Sequence, residues 1–117
     1  MRRKLSREER AILDFLLTAD FPGAGELRKQ APYASVVGRC PCGCATISLD
    51  VDRTQAPRAA VADHAPVHAS ASSGPEGLLL FVDDGYLSGL EIYTTDHEAP
   101  SVFPPPSGFD PPTAQLA

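Results

Sequence analysis

Cys40, Cys42 and Cys44 alternate along Cys40-Pro41-Cys42-Gly43-Cys44 and are the only cysteines of the chain. Thiolates are soft ligands that hold zinc strongly when a bent loop brings their sulfurs together. In an extended strand, alternate side chains share a face but stand about 7 Å apart, so convergence needs a turn. Pro41 and Gly43 supply one. The same side chains also suit an ordinary tight turn with inert, semi-apolar thiols, or a redox or nucleophilic thiol site. Cys40, Cys42 and Cys44 are therefore the candidate metal ligands, with zinc as the cofactor that reading implies.

A fourth ligand would come from His64, His68, His97 or a carboxylate. His64 and His68 have zincin-like spacing, but Pro66 between them argues against a helix. In a strand they would stand about 13 Å apart, too far to share one ion. Asp96-His97-Glu98 offers an acid or base and Asp83-Asp84 a cation site, both common surface combinations. His97-Glu98 lacks the second histidine of a zincin, and the chain has neither a nucleophile elbow nor a Gly-rich loop leading from a strand into a helix. No catalytic residue is assigned.

The elements around the cysteines follow from periodicity. Ala45, Ile47, Leu49 and Val51 alternate with Thr46, Ser48, Asp50 and Asp52, the pattern of a half-buried strand, and Ala34 to Arg39 reads as a weaker partner. The cysteines then occupy the connecting hairpin. Upstream, Ser6-Arg7-Glu8-Glu9 has the form of a capping box. Ile12, Leu13, Leu16 and Leu17 make one helical apolar stripe, which Phe21-Pro22-Gly23 ends. A short second helix through Glu26, Leu27 and Arg28 before Pro32 turns Ala24, Leu27 and Ala31 inward. Residues 54–76 read as loop with one irregular strand around Val61 to Ala69.

Leu78 to Val82, Asp83-Asp84-Gly85-Tyr86 and Leu87 to Tyr93 form the strongest local signal, a hairpin on a type I′ turn at Asp84-Gly85. An unbulged ladder would set Leu80 opposite Gly89 and split the aliphatics between two faces. One extra residue at Ser88 or Gly89 instead pairs Leu80 with Leu90 and Leu78 with Ile92, so a β-bulge is expected there. Leu79, Phe81 and Tyr93 then face the other way with Glu91, a large apolar group for a small domain to leave wet. The Pro-rich chain after Thr95, with Phe103 and Phe109 as its aromatic anchors, is the expected lid; another protein or a second copy of the chain is the alternative. Leu79, Phe81 and Tyr93 are thus the candidate partner-binding residues.

The chain has 117 residues, about one domain, with 43% apolar and 21% charged residues, close to globular averages. Residues 1–100 read as a single domain and 101–117 as an extended tail. Arg outnumbers Lys, and Ala and Pro are plentiful, which suggests a GC-rich bacterial genome. The net charge of -5 argues against a nucleic-acid partner. The basic start, Arg2, Arg3, Lys4, Arg7 and Arg10, reads as a solvated helix entrance. Asp14 interrupts the first apolar stretch and Glu8 and Glu9 precede it, so no secretion signal is expected. Leu78 to Val82, the longest apolar run, is too short for a bilayer, and no membrane partner is expected. An odd number of cysteines without an export signal fits reduced thiols in the cytoplasm.

The opening Cys40-Pro41-Cys42-Gly43 resembles the start of the SEC-C zinc motif, a short metal-binding tail module that binds partner proteins. That resemblance covers four residues, and the motif's downstream Cys-Cys or Cys-His pair has no counterpart here. The overall order of capped helix, Phe-Pro-Gly, short helix, cysteine hairpin and Asp-Asp-Gly hairpin resembles small proteins of GC-rich bacteria that carry no assigned activity. It implies a compact α+β domain and transfers no functional residue. The expected fold is one or two N-terminal helices on a mainly antiparallel sheet of four or five strands, followed by the tail. The expected function is a non-enzymatic cytosolic interaction module of the immunity or accessory kind; a zinc-binding protein and a thiol-dependent enzyme are the alternatives.

Overall fold

Helix α1 (Arg7–Leu16) begins because Ser6 and Glu9 satisfy each other's backbone. The Ser6 hydroxyl accepts from the Glu9 amide at 3.1 Å, and the Glu9 carboxylate accepts from the Ser6 amide at 2.8 Å. These contacts come from a computed structural model that describes residues 2–96 and 98–115. Ile12, Leu13 and Leu16 are fully buried, and Leu17 just beyond the helix is nearly so. Just past the end of α1 the chain is tied down by Arg28, whose guanidinium donates to Leu17 O at 2.7 Å and to Ala19 O at 3.0 Å. Arg28 sits on α2 (Ala24–Gln30), which turns Ala24 and Leu27 inward as expected and passes through a 3₁₀ turn at Ala31–Tyr33 into the sheet.

The sheet has six strands: β1 (Ala34–Arg39), β2 (Ile47–Val51), β3 (Val67–Ser70), β4 (Glu76–Asp83), β5 (Tyr86–Thr94) and β6 (Thr113–Ala114). Their spatial order is β1-β2-β5-β4-β3-β6, and every pairing is antiparallel. Two helices packed on this sheet make the α+β fold that the periodicity implies, with six strands where four or five were expected. The strand that periodicity could not reveal is β6, two residues of the tail laid on the edge of β3. The irregular strand expected around Val61 to Ala69 is regular only from Val67. Before Pro66 the backbone makes single contacts instead, Ala59 N to Gly85 O at 2.9 Å and Val82 N to His64 O at 2.8 Å.

The β4–β5 hairpin has the bulged register. Asp84 and Gly85 have φ of 53° and 78°, the pair of positive values that a type I′ turn demands. Val82 faces Leu87 and Phe81 faces Gly89, so Ser88 is the extra residue; Leu80 then faces Leu90, and Leu78 faces Ile92. All six large aliphatics are buried against the helices. The arrangement has a cost at the bulge, where the Ser88 hydroxyl is the buried side-chain polar atom left without a partner among the described residues. The turn is held from behind by Gln30, a fully buried polar side chain. Its Nε2 donates to Pro57 O and Gly85 O, both at 2.9 Å, and its Oε1 accepts from Leu87 N at 3.0 Å.

The tail takes a different route from the expected lid. Phe103 and Phe109 are buried in the core on the helix side of the sheet, where Phe103 and Pro104 to Pro106 border a cavity with Arg7, Glu8 and Ala11 of α1. The chain then runs along β3, with Asp110 N donating to Ser70 O at 2.9 Å and Gln115 N to Pro66 O at 2.7 Å. Leu79, Phe81 and Tyr93 therefore lie outside its cover. Tyr93 is 36% exposed, while Leu79 and Phe81 are half-buried. Their own cross-strand neighbours provide that shelter. Tyr93 lies over Gly77 and Phe81 over Gly89, each aromatic ring filling the space its paired glycine leaves open. His64 adds a ring contact to Phe81 with centroids 5.0 Å apart.

Candidate metal centre

Between β1 and β2 the chain reverses on the cysteines. Gly43 N donates to Cys40 O at 3.1 Å, closing a four-residue turn with Pro41 at its first corner, where a fixed φ suits the turn. Gly43 follows with φ 89°, a left-handed conformation that favours glycine. Cys40 N donates to Thr46 O at 3.1 Å and restores the ladder beyond the turn. This bend does what an extended strand could not: the sulfurs of Cys40, Cys42 and Cys44 all lie within 4.8 Å of one another and could hold a metal ion.

The three thiols differ in setting. Cys42 is exposed, Cys40 half-buried and Cys44 buried. The Cys40 and Cys42 sulfurs are 2.7 Å apart, and the Cys44 amide donates to the Cys42 sulfur at 3.3 Å. Hydrogen bonds with Cys40 and then Cys44 push the Cys42 thiol up to about 11. Burial raises the Cys44 thiol, but the hydroxyl and amide of Thr46 and the neighbouring thiols outweigh it and bring Cys44 down to about 7. Around a tetrahedral zinc with ~2.3 Å bonds, sulfurs stand roughly 3.8 Å apart. The Cys40–Cys42 pair would open by about 1 Å to reach that spacing, a side-chain movement that the exposure of Cys42 permits.

Thr46 is a supporting residue that sequence reasoning passed over. Its hydroxyl accepts from Ile92 N at 3.1 Å and donates to Ile92 O at 3.3 Å, tying the cysteine hairpin to β5 where regular β2–β5 pairing stops at Ile47. The other wall of the site comes from the tail. Ala45 N donates to Pro100 O at 2.8 Å. This contact sets the segment 98–101 beside the turn, and Cys42, Gly43, Cys44, Glu98, Ala99 and Ser101 line a solvent-open cavity of about 460 Å³.

The remaining candidates are placed elsewhere. The His64 ring nitrogen Nδ1 lies 2.8 Å from the Asp83 carboxylate, and His68 is on β3 with Nδ1 2.8 Å from the amide of Gln115. His68 stands three strand spacings from β2, roughly 14 Å across the sheet, and neither histidine is brought to the cysteines. Asp84 takes Arg58 at 3.0 Å and Arg53 at 3.3 Å, so it carries its counter-charges within the chain. Asp96 is in the bend after β5 and Glu98 lines the cysteine cavity, while His97 lies outside the described residues. The basic start is largely spoken for. Arg2 pairs with Asp50 at 2.8 Å, Arg3 grips both oxygens of Glu9 at 2.8 and 2.9 Å, and Arg10 donates to Ala31 O at 2.6 Å. A larger cavity of about 830 Å³ lies beside Arg2, Lys4, Arg10 and Tyr33, where Arg2 and Arg10 are already engaged by Asp50 and Ala31 O.

Among the described residues no helix is long and apolar enough to cross a membrane. No family model, curated protein or solved structure matches this chain.

Proposed function

We propose that this chain is a zinc-binding protein in which the thiolates of Cys40, Cys42 and Cys44 hold one ion and clamp the β1–β2 hairpin. The observation that carries the reading is the mutual approach of the three sulfurs within 4.8 Å on a turn built from Pro41 and Gly43. Three thiolate donors favour zinc or another soft ion over magnesium or calcium, which take oxygen ligands. The likeness of Cys40-Pro41-Cys42-Gly43 to the opening of the SEC-C motif supports the same choice.

Protein purified without an affinity tag is expected to carry about one zinc per chain. Because an ion that binds only the folded state stabilises it, free zinc at a hundred times its Kd adds about 2.7 kcal/mol. For 117 residues the melting temperature moves roughly 4 °C per kcal/mol, so chelation should lower it by about 11 °C. Metal-free protein whose melting ignores both zinc and chelator would sink this reading.

A second reading, a cytosolic interaction module, rests on the face that the tail leaves uncovered, Leu79, Phe81 and Tyr93. Its occupant is another protein chain, of which a second copy of this one is the directly measurable case. Phe81→Asp, placed outside the helix-side core, should abolish any self-association seen by sedimentation while the monomer stays folded, at the cost of the ring's packing on Gly89 and His64. Wild-type protein that stays monomeric at high concentration removes the self-association form of this reading.

A further inference from the structure

Three thiolates leave a tetrahedral zinc one ligand short, and the tail supplies the other wall of the cysteine cavity. Apart from Cys42 and Cys44, that cavity is lined by Gly43, Glu98, Ala99 and Ser101, so Glu98 is its remaining ionisable residue. Its wall is fixed in place by the Ala45 N to Pro100 O hydrogen bond, two residues from Glu98 and one from Cys44. Glu98 makes no hydrogen bond or ion pair with another described residue. Three other titratable groups are already engaged: Glu9 is held by Arg3, His64 by Asp83 and His68 by Gln115.

Resting on the thiolate reading above, we propose that the exposed Glu98 carboxylate, which lies outside the cluster of the three sulfurs, swings across the shared cavity to become the fourth ligand, so that the ion joins the β1–β2 hairpin to the start of the C-terminal segment. The chain beyond Glu98 carries Phe103 into the core and ends on the edge of β3, so a bond at Glu98 anchors the segment that closes the sheet. A metal bound here fastens two parts of the molecule far apart in sequence, which a hairpin of cysteines alone does not.

The test titrates the full chain with zinc against a chromophoric chelator and, separately, with cobalt(II) to read coordination from its visible spectrum. Four proteins are compared: wild type, Glu98→Gln, His97→Ala and Cys42→Ser/Cys44→Ser. Glu98 is exposed, and the melting of each metal-free variant checks that the fold survives. The expected result is a loss of zinc affinity of at least about tenfold in Glu98→Gln, since replacing even a residue that only supports a ligand costs about ten- to a hundredfold, with an altered cobalt spectrum. His97→Ala should bind like wild type. Zinc should also slow amide exchange over residues 99–110 in wild type and not in Glu98→Gln. Glu98→Gln that binds zinc within about twofold of wild type and keeps its cobalt spectrum overturns the assignment of Glu98. If the double cysteine variant has meanwhile lost binding, the thiolate site itself stands; if wild type binds neither ion, both readings fall together.

Discussion

Replacing Gln30 with Leu should destabilise the protein more than any other polar-to-apolar substitution of similar volume in α2. Gln30 is fully buried and makes three hydrogen bonds that fasten α2 to the Asp84-Gly85 turn. Leucine fills the space but removes all three. The consequences differ by partner. Gly85 O keeps the hydrogen bond from Ala59 N, and Pro57 O sits at a partly buried edge, whereas Leu87 N is left with nothing to donate to inside the core. Two ordinary hydrogen bonds at about 1 kcal/mol each and one orphaned buried N–H at about 1 to 3 kcal/mol, less the gain from a leucine in the core, give a net loss of about 3 kcal/mol. At roughly 4 °C per kcal/mol that is a fall in melting temperature of about 12 °C. Urea unfolding should show the same loss as a lower midpoint with an unchanged slope. Gln30→Glu separates the contributions, since a carboxylate still accepts from Leu87 N but faces two carbonyls with no proton; its deficit should shrink when acid protonates it. A loss below about 1 kcal/mol for Gln30→Leu would refute the claim that this side chain holds the hairpin turn.

Two further outcomes follow from the framework around the site. Burial alone would raise the Glu9 carboxyl, but the Arg3 guanidinium and the Ser6 amide hold it below its ordinary value of 4.5. Its contribution is therefore complete above that value and lost as pH falls through the lower folded-state value, so Glu9→Gln should cost about 1 to 2 kcal/mol at neutral pH and flatten the stability decline on the acid side in urea unfolding; an unchanged acid limb would contradict this. Gly85→Ala should cost at least about 2 kcal/mol, because φ is 78° and an added Cβ would meet Ala59 O at 2.5 Å. Gly43→Ala, with φ 89° but open space around it, should cost only about 1 kcal/mol of conformational strain. Equal losses would mean that the packing behind the Asp84-Gly85 turn is not what fixes that glycine.

How much of this was legible in the sequence depended on whether a feature obeys a local rule. Ser6 and Glu9 announced the helix start through spacing alone, and the bulge at Ser88 followed because slipping the β4–β5 register by one residue would have turned Leu90 and Ile92 to the wrong face. The cysteine turn was visible in Pro41 and Gly43. What stayed hidden involves pairings without a pattern. β6 is two residues of a Pro-rich segment, chosen by the free edge of β3 rather than by any periodicity in Thr113 and Ala114. Gln30 lies three residues past Leu27 on the buried face of α2, but its polar side chain breaks the apolar stripe and its partners lie in distant segments. The expected lid over Leu79, Phe81 and Tyr93 was wrong for a reason contained in the register itself: Gly77 and Gly89 sit directly across from Tyr93 and Phe81, and the rings shelter against them. At the candidate site, the sulfurs' convergence could be argued from the turn, but the wall bearing Glu98 arrives through one backbone hydrogen bond from Pro100 and left no mark that spacing could show.

Whether all three thiolates reach one ion is read most directly by zinc-edge X-ray absorption on the zinc-loaded, untagged protein. It should show about three sulfur neighbours at ~2.3 Å with a lighter neighbour near ~2.0 Å, and Cys44→Ser should reduce the sulfur count by one. A spectrum with no sulfur neighbours, or a protein that takes up no zinc, would contradict the thiolate reading and return Cys40, Cys42 and Cys44 to the inert turn of a hairpin.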